Sequence, residues 1–435
     1  MKDIDKRILY IAVPAIVSNI TVPLLGLVDV SIVGHLGAAS YIAAIAIGGM
    51  LFNVMYWLFG FLRMGTSGMT SQAFGRRDLR GVVRLLMRSL GIAAIVAMLL
   101  IVLQLPISQL AMCIMKPSAE VRQYVSTYFH ILIWGTPAML GLYSMTGWFI
   151  GMQNSRLPML IAITQNVVNI AASLLFVYIF GMKVDGVALG TLVAQYTGFL
   201  MSLFMWYAVY GRLLKHYDAS RLFARDAMKS FLSVNRDIFL RTLCLISVML
   251  FFTSAGSWQG ETILAVNTLL MQFYMIFSYV MDGFAYAGEA ISGKYYGARN
   301  NAGLRLSVGS LFRWGALMTA LFTLLYIIGD KSFMSLLTDN EAVVSAAGEY
   351  SFWAMLMPTM GVAAFIWDGI FIGCTKTRGM LQSMFISAIV FFAAYYGLCG
   401  VFANHALWIA FLLYMFTRGA FQTALWLKGT RHYND

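Results

Sequence analysis

The chain has 435 residues, of which 60% are hydrophobic and 11% are charged, and its mean hydropathy is +0.77. Soluble domains carry about 25% charged residues, so this composition excludes a water-soluble fold. The net charge of +12 does not indicate a nucleic-acid partner, because the basic residues lie where anionic lipid headgroups attract them.

Apolar segments recur along the whole chain, and each is long enough to cross a hydrocarbon core, which takes about 20 helical residues. With Gly, Pro and charged residues taken as breaks, the sequence predicts an all-α integral membrane protein with twelve transmembrane helices. In chain order the predicted spans are 8–35, 41–69, 85–112, 121–150, 157–181, 186–211, 232–256, 262–290, 304–329, 343–373, 379–402 and 405–427.

Lysine and arginine are concentrated in the loops on the side that carries both termini, and we count Arg241 among these loop residues. The opposite loops contain Lys116, Arg122, Lys183 and Lys331. Because basic loops stay in the cytoplasm, we expect both termini to be cytoplasmic. The predicted location is a bacterial inner (plasma) membrane, with multiple passes.

An internal repeat divides the chain. A shift of 222 positions aligns 149–156 with 371–378, and it pairs Gly75, Arg77 and Gly81 with Gly297, Arg299 and Gly303. Two matches at one offset indicate duplication of a six-span unit. We expect two parallel six-helix repeats around a central cleft: an N lobe at 1–211, a cytoplasmic linker at 212–230 and a C lobe at 231–435.

Polar side chains of the first half are predicted to converge in the outer half of the bilayer. Asp29 lies late in span one, Asn169 and Ser173 lie in span five, and Thr191 begins span six. A carboxylate among amide and hydroxyl groups suits a protonation switch or a weak sodium site. The alternative is that Asp29 only bridges helices.

In the second half, Asp282 and Asp368 are predicted in the inner half of spans eight and ten. Charged groups at that depth are costly, so we expect them to line a substrate cleft. Glu289 shares a helix face with Asp282, although it could also be solvated. Arg63 in span two is a further cleft candidate, at a depth that would let it pair with Asp282.

Neither an enzyme nor a cofactor is indicated by the sequence. No phosphate-binding loop, nucleophile elbow or zinc-binding helix motif is present, and the cysteines and histidines lack metal-ligand spacing. A membrane acyltransferase would need a His/Asp pair at a membrane face, which His35 and Asp29 support only weakly. We expect a monomer whose partners are small molecules, H⁺ or Na⁺, and membrane lipids.

Several motifs make the chain resemble the multidrug and toxic compound extrusion (MATE) transporters, and within them the DinF-like branch. The resemblance rests on Val13-Pro14-Ala15, Val28-Asp29, Val33-Gly34-His35-Leu36-Gly37, Gln72-Ala73-Phe74-Gly75, Asp282-Gly283-Phe284-Ala285-Tyr286-Ala287, Asp368-Gly369-Ile370-Phe371-Ile372-Gly373 and Thr377-Arg378.

This resemblance implies antiport of amphipathic or cationic organic compounds against protons or sodium. It also implies that Asp29 is the acidic residue of the N-lobe site and that Asn169 and Thr191 are its polar partners. The first helix would be able to bend at Pro14. Ser173 departs from the pattern, because many members carry a second aspartate there. A single acid favours protons over sodium. The alternative function is a lipid-linked oligosaccharide flippase of the same superfamily, which would need several basic residues inside the cleft.

Overall fold

The computed structural model describes residues 2–34, 38–218, 222–337 and 341–431, and these residues form helices and no strand. The motif residues His35, Leu36 and Gly37 lie outside the described residues. The helices are α1 Lys2–Gly34, α2 Ala39–Leu58, α3 Phe61–Gly75, α4 Leu79–Val102, α5 Gln104–Met115, α6 Ala119–Leu132, α7 Thr136–Gly151, α8 Arg156–Leu174, α9 Val184–Tyr210, α10 Arg225–Ser257, α11 Glu261–Gly297, α12 Asn301–Leu337, α13 Glu341–Gly373, α14 Thr377–Phe402 and α15 Asn404–Arg431.

These helices follow the predicted spans. Within the described ranges, nine helical segments are long and apolar enough to cross a membrane, and they coincide with predicted spans two, three and five to eleven. The other three predicted spans fall on α1, on the consecutive pair α6 and α7, and on α15. The all-α membrane fold predicted from the sequence is therefore confirmed.

Prolines divide two of the predicted spans into separate helices. Span three becomes α4 and α5, with a break at Leu103 shortly before Pro106. Span four becomes α6 and α7, joined by a short 3₁₀ turn, Ile133–Gly135, directly before Thr136 and Pro137. Proline has no amide hydrogen and clashes with the carbonyl four residues earlier, which disfavours continuous α-helical hydrogen bonding at both positions.

The internal repeat is visible in the backbone. Arg77 and Arg299 adopt positive φ angles of 59° and 55°, and Gln153 and Thr375 adopt 66° and 50°. Each pair is related by the offset found in the sequence. Left-handed residues of this kind commonly end helices, and here they terminate α3, α11, α7 and α13. The duplicated sequence motifs therefore encode duplicated helix ends.

The helices that follow the first pair of turns also begin alike. The backbone N–H of Gly81 donates to the Oδ1 atom of Asp78 at 2.8 Å, and that of Gly303 donates to the Oδ1 atom of Asn300 at 2.8 Å. Asp and Asn are favoured at this position because their side chains accept from otherwise unpaired amides of the first turn. The start of α12 thus repeats the start of α4.

The described chain forms two compact units. One contains residues 17–232, and the other contains residues 1–16 together with 233–435. The boundary inside α1 falls between Ile16 and Val17, two residues after Pro14. Pro14 lies within a continuous helix, and its role as a bend stays a prediction, as do the lobe boundaries expected from the sequence.

Candidate functional site

Asp29 is a buried acid on the part of α1 that belongs to the 17–232 unit. Its side chain is 8% exposed, and its Oδ1 atom has no hydrogen-bond partner among the described residues. An unpaired carboxylate in apolar surroundings is costly, and binding a proton or a cation removes that cost. Asp29 is therefore chemically suited to bind a small cation reversibly.

Asn169 and Thr191 form a polar pair between α8 and α9. The Nδ2 atom of Asn169 donates to the Oγ1 atom of Thr191 at 3.0 Å, and Thr191 donates to the carbonyl of Val187 at 3.1 Å. The Oδ1 atom of Asn169 is buried and has no hydrogen-bond partner in the described part of the chain. The pair therefore offers a free acceptor oxygen whose position is fixed from both helices.

Ser173 lies one turn after Asn169 on the same face of α8 and is fully buried. It packs against Gly190, the residue before Thr191, so closely that a Cβ atom at position 190 would lie 2.8 Å from the Ser173 backbone nitrogen. Glycine is required at 190 for this approach. The close contact of α8 and α9 places three of the four predicted site residues together.

The same helix α8 is fastened to α1 on both sides of Asp29. The side-chain amide of Asn166 donates to the carbonyl of Thr21 at 3.4 Å. Beyond the end of α8, in the π turn Leu175–Ile179, the hydroxyl of Tyr178 donates to the carbonyl of Ile32 at 3.3 Å. These two contacts set the position of α1 relative to α8.

Tyr128 on α6 is a site residue that the sequence analysis missed. It is 4% exposed and interacts electrostatically with Asp29, and its side chain also interacts with that of Thr191. Tyr128 therefore interacts both with Asp29 and with a member of the Asn169–Thr191 pair. The sequence could have indicated Tyr128 by its depth in span four, which matches the depth of Asp29 in span one. Tyrosines near the ends of spans also occur at the membrane interface, however, so depth alone did not single it out.

Asp368 on α13 occupies a very different environment in the other unit. Its Oδ2 atom accepts from Arg241 and, at 3.2 Å, from Arg418, and its Oδ1 atom accepts from Gln422 at 2.8 Å. All four side chains are buried. Close packing of α13 on α11 supports the arrangement, since a Cβ atom at Gly369 would collide with the backbone of α11. Asp368 is thus fully engaged within its own unit.

This cluster corrects the assignment of Arg241 to a cytoplasmic loop. Its side chain is buried inside the 233–435 unit, where it pairs with Asp368. Arg418 lies within predicted span twelve and was not counted on either side of the membrane. The sequence could in principle have indicated that Arg241 and Arg418 are buried ion-pair residues, because an arginine within an apolar span needs an acidic partner at similar depth.

The remaining cleft candidates are placed as follows. Asp282 on α11 is half-buried and interacts electrostatically with Tyr274 and Tyr279. Glu289, two turns later on the same helix, is 1% exposed within the protein, so the solvated alternative does not hold. Arg63 on α3 is buried in the 17–232 unit. Its pairing with Asp282 stays a prediction.

Comparison with known proteins decides the family. The MatE family profile matches residues 14–175 and again 238–396, one match in each half of the chain. DNA damage-inducible protein F of Escherichia coli K12 is 34% identical over 432 residues, which cover 98% of this chain and 93% of that protein. The chain belongs to the MatE family.

More distant relatives agree with this assignment. A probable multidrug resistance protein NorM of Acinetobacter baylyi is 23% identical, over 86% of this chain and 84% of that protein. A crystal structure of MATE in the bent conformation superposes with a TM-score of 0.87 at 20% identity, covering 98% of this chain and 94% of that one. The MatE fold spans nearly the whole chain, and the twelve predicted spans fit it.

Proposed function

We propose that this MatE protein exports amphipathic or cationic organic compounds in exchange for protons, and that Asp29 binds the coupling proton. The observation that carries the proposal is the buried Asp29 carboxylate, whose Oδ1 atom lacks a hydrogen-bond partner among the described residues. Uptake of a proton neutralises such a group, and its release restores the charge. Either change alters the electrostatic balance inside the 17–232 unit.

The choice of cargo rests on the relatives. The NorM relatives bear the name of multidrug resistance proteins, and another relative is a multidrug and toxin extrusion protein of Oryctolagus cuniculus. The family is one of transporters, which is consistent with the lack of enzyme motifs in this sequence. We therefore infer a small-molecule exporter of the plasma membrane with both termini in the cytoplasm.

The potential ligands in the proposed coupling site favour protons over sodium. The site provides one carboxylate, at Asp29, and neutral oxygens at Asn169 and Thr191. Ser173 supplies a hydroxyl where a second carboxylate would add a hard anionic ligand. Sodium bound at Asp29, Asn169 and Thr191 is the alternative coupling ion, and it would be held weakly by a single negative charge.

The flippase alternative would need basic groups available to an anionic headgroup. The deep arginines Arg241 and Arg418 share the carboxylate of Asp368. Tyr274 interacts electrostatically with Asp282 and with both arginines. The carboxylate of Asp282 is therefore a second negative charge near this cluster. The cluster is therefore committed to internal ion pairing, which favours the exporter.

Reconstituted protein in liposomes tests the proposal directly. Efflux of ethidium, a planar fluorescent cation, is measured under an imposed proton gradient, an imposed sodium gradient, or neither. The proposal requires efflux that depends on the proton gradient and is indifferent to sodium. Efflux that needs only sodium would transfer the coupling role to that ion, and equal rates without any gradient would exclude antiport.

A further inference from the structure

Buried polar side chains continue beyond the Asp29 site, on α2, α7 and α9 of the same unit. Tyr56, Thr136 and Gln195 are 6%, 0% and 5% exposed. The side chain of Tyr56 interacts with those of both Thr136 and Gln195. Three polar groups from three helices therefore meet inside the 17–232 unit.

None of these groups is fully satisfied within the described protein. The Oη atom of Tyr56, the Oγ1 atom of Thr136 and the Oε1 atom of Gln195 are buried without an aligned hydrogen-bond partner in the described ranges. Leaving a buried polar group without a hydrogen bond is energetically costly. Convergent buried oxygens of this kind are the usual environment of an ordered internal water. The cluster is therefore suited to hold water and to exchange protons with it.

The local backbone is shaped for this cluster. Gly135, at the end of the 3₁₀ turn before α7, faces the side chain of Gln195, and a Cβ atom at position 135 would collide with the Oε1 atom. Glycine thus lets the amide of Gln195 lie against the backbone beside Thr136. The apolar alternative, a leucine or methionine at 195, would fill the same space without any polar group.

Electrostatic interactions connect the cluster to Asp29 through Tyr128. Tyr56 interacts with Tyr128, and Tyr128 interacts with Asp29. Both tyrosines pack on Phe52, with ring centroids 5.6 Å and 6.3 Å from its ring. Gln195 follows Thr191 by one turn of α9, a rise of about 6 Å along the helix. Gln195 therefore lies one helical turn from Thr191, toward the end of α9 that we predict to be cytoplasmic.

We propose that Tyr56, Thr136 and Gln195, with water held among them, form a relay that carries the coupling proton to and from Asp29. The inference rests on the proposed function. A proton that leaves the Asp29 carboxyl is taken by a neighbouring oxygen, and each hydroxyl or water in the path accepts one proton as it releases another. Every O–H bond broken is matched by one formed, and the net change is transfer of one proton.

The groups that act on Tyr56 suit this role. In the described part of the protein these are the neutral tyrosines Tyr128, Tyr143 and Tyr196, together with Thr136 and Gln195. Tyr196, which also acts electrostatically on Tyr56, is 37% exposed. A relay needs hydroxyls that stay neutral and can both donate and accept, which tyrosine, threonine and water provide.

The decisive experiment measures ethidium-driven proton flux in liposomes with a pH-sensitive dye. Tyr56→Phe removes the hydroxyl and keeps the ring, and we expect it to slow proton flux at saturating ethidium about tenfold. Ethidium binding and the unfolding temperature in detergent should change little. The matched control is Tyr41→Phe at the other end of α2, which should retain the wild-type flux.

Isosteric changes at position 136 separate a relay from simple packing. Thr136→Val keeps the volume and removes the hydroxyl, whereas Thr136→Ser keeps the hydroxyl and removes a methyl group. A relay predicts that Val slows proton flux and Ser preserves it, and Gln195→Met should resemble Val. A packing role predicts the opposite order for the two threonine variants, and that order would overturn the inference.

Failure of the relay is distinguishable from failure of the proposed function. If wild-type ethidium transport moves no protons, the proposed function is wrong and the relay falls with it. If wild-type transport moves protons and Tyr56→Phe matches Tyr41→Phe, the exporter stands and only the relay is refuted.

Discussion

Asp29 and Asp368 are buried to nearly the same degree, at 8% and 6% exposure, yet their surroundings are opposite. Asp368 receives hydrogen bonds from two arginines and a glutamine. Asp29 interacts electrostatically with the neutral Tyr128, and its Oδ1 atom is without a hydrogen-bond partner among the described residues. The acid of one unit is therefore paired with two arginines, and the acid of the other unit has an oxygen atom without a hydrogen-bond partner among the described residues.

The difference shows that burial of a carboxylate does not by itself indicate its role. A buried ion pair is strongly destabilised when one partner is removed, since an uncompensated charge remains. A buried acid with neutral neighbours loses little contact energy when it becomes an amide. Asp29 should consequently be sensitive in transport assays, and Asp368 should be sensitive in stability assays.

The largest expected effect is that of Asp29→Asn on transport. The amide preserves the shape and removes the titratable group, so proton-coupled ethidium efflux should fall about a hundredfold or more. The unfolding temperature should stay close to that of the wild type, and the remaining efflux should no longer respond to the pH gradient. Asp226→Asn, at an exposed acid in the first turn of α10, is the control. Wild-type coupling in the Asp29 variant would make this residue structural.

Asp368→Asn should act mainly on stability. The variant leaves Arg241 and Arg418 facing an amide, and loss of one partner from a buried ion pair costs about 3–5 kcal/mol. Thermal unfolding in detergent measures the loss, again against Asp226→Asn. In a double-mutant cycle, Arg241→Met should cost much less in the Asp368→Asn background than in the wild type. Additive losses would mean that the two side chains do not depend on each other.

Ser173→Asp should give the predicted coupling site in the 17–232 unit a second acidic residue. A second carboxylate beside Asn169 adds a hard anionic ligand, so ethidium efflux should become responsive to a sodium gradient. The larger side chain against Gly190 should also lower stability by about 1–3 kcal/mol. Ser173→Ala keeps the space open and should retain proton coupling. Unchanged sodium dependence in the aspartate variant would place position 173 outside the coupling site.

The smallest expected effect concerns cargo selectivity. The sequence predicted that both Asp282 and Asp368 line a substrate cleft, but Asp368 is already paired with two arginines. Asp282→Asn should therefore raise the KM for ethidium about fivefold, because a solvated contact between two charges contributes about 1 kcal/mol. The KM for a neutral substrate should not change. Asp368 variants that retain the fold should not discriminate by substrate charge. Equal losses for both substrates in Asp282→Asn would remove it from the cargo site.

Much of the fold could be predicted because its determinants are local in the sequence. Span length and hydropathy specify a membrane helix, since the backbone must satisfy its own hydrogen bonds in lipid. The repeated loop motifs ended as matched turns, with positive φ angles at Arg77 and Arg299 and at Gln153 and Thr375. Pro106 and Pro137, which follow the two helix breaks, also indicated those breaks in the sequence, although the hydropathy pattern is continuous across both positions.

The partners of each buried charge depended on the tertiary structure. Hydropathy gives the depth of a residue in the membrane but not the direction in which its side chain points around the helix axis. Arg241 lies 127 positions before Asp368, so its charge was assigned to a loop until helix packing placed the two together. Tyr128, which interacts electrostatically with Asp29, was likewise one of many aromatic residues in the predicted spans. The sequence by itself determined which segments cross the membrane and how the halves repeat, because these follow from local patterns. Only the packing of distant helices decided which acid is paired with arginines and which has an oxygen atom without a hydrogen-bond partner among the described residues.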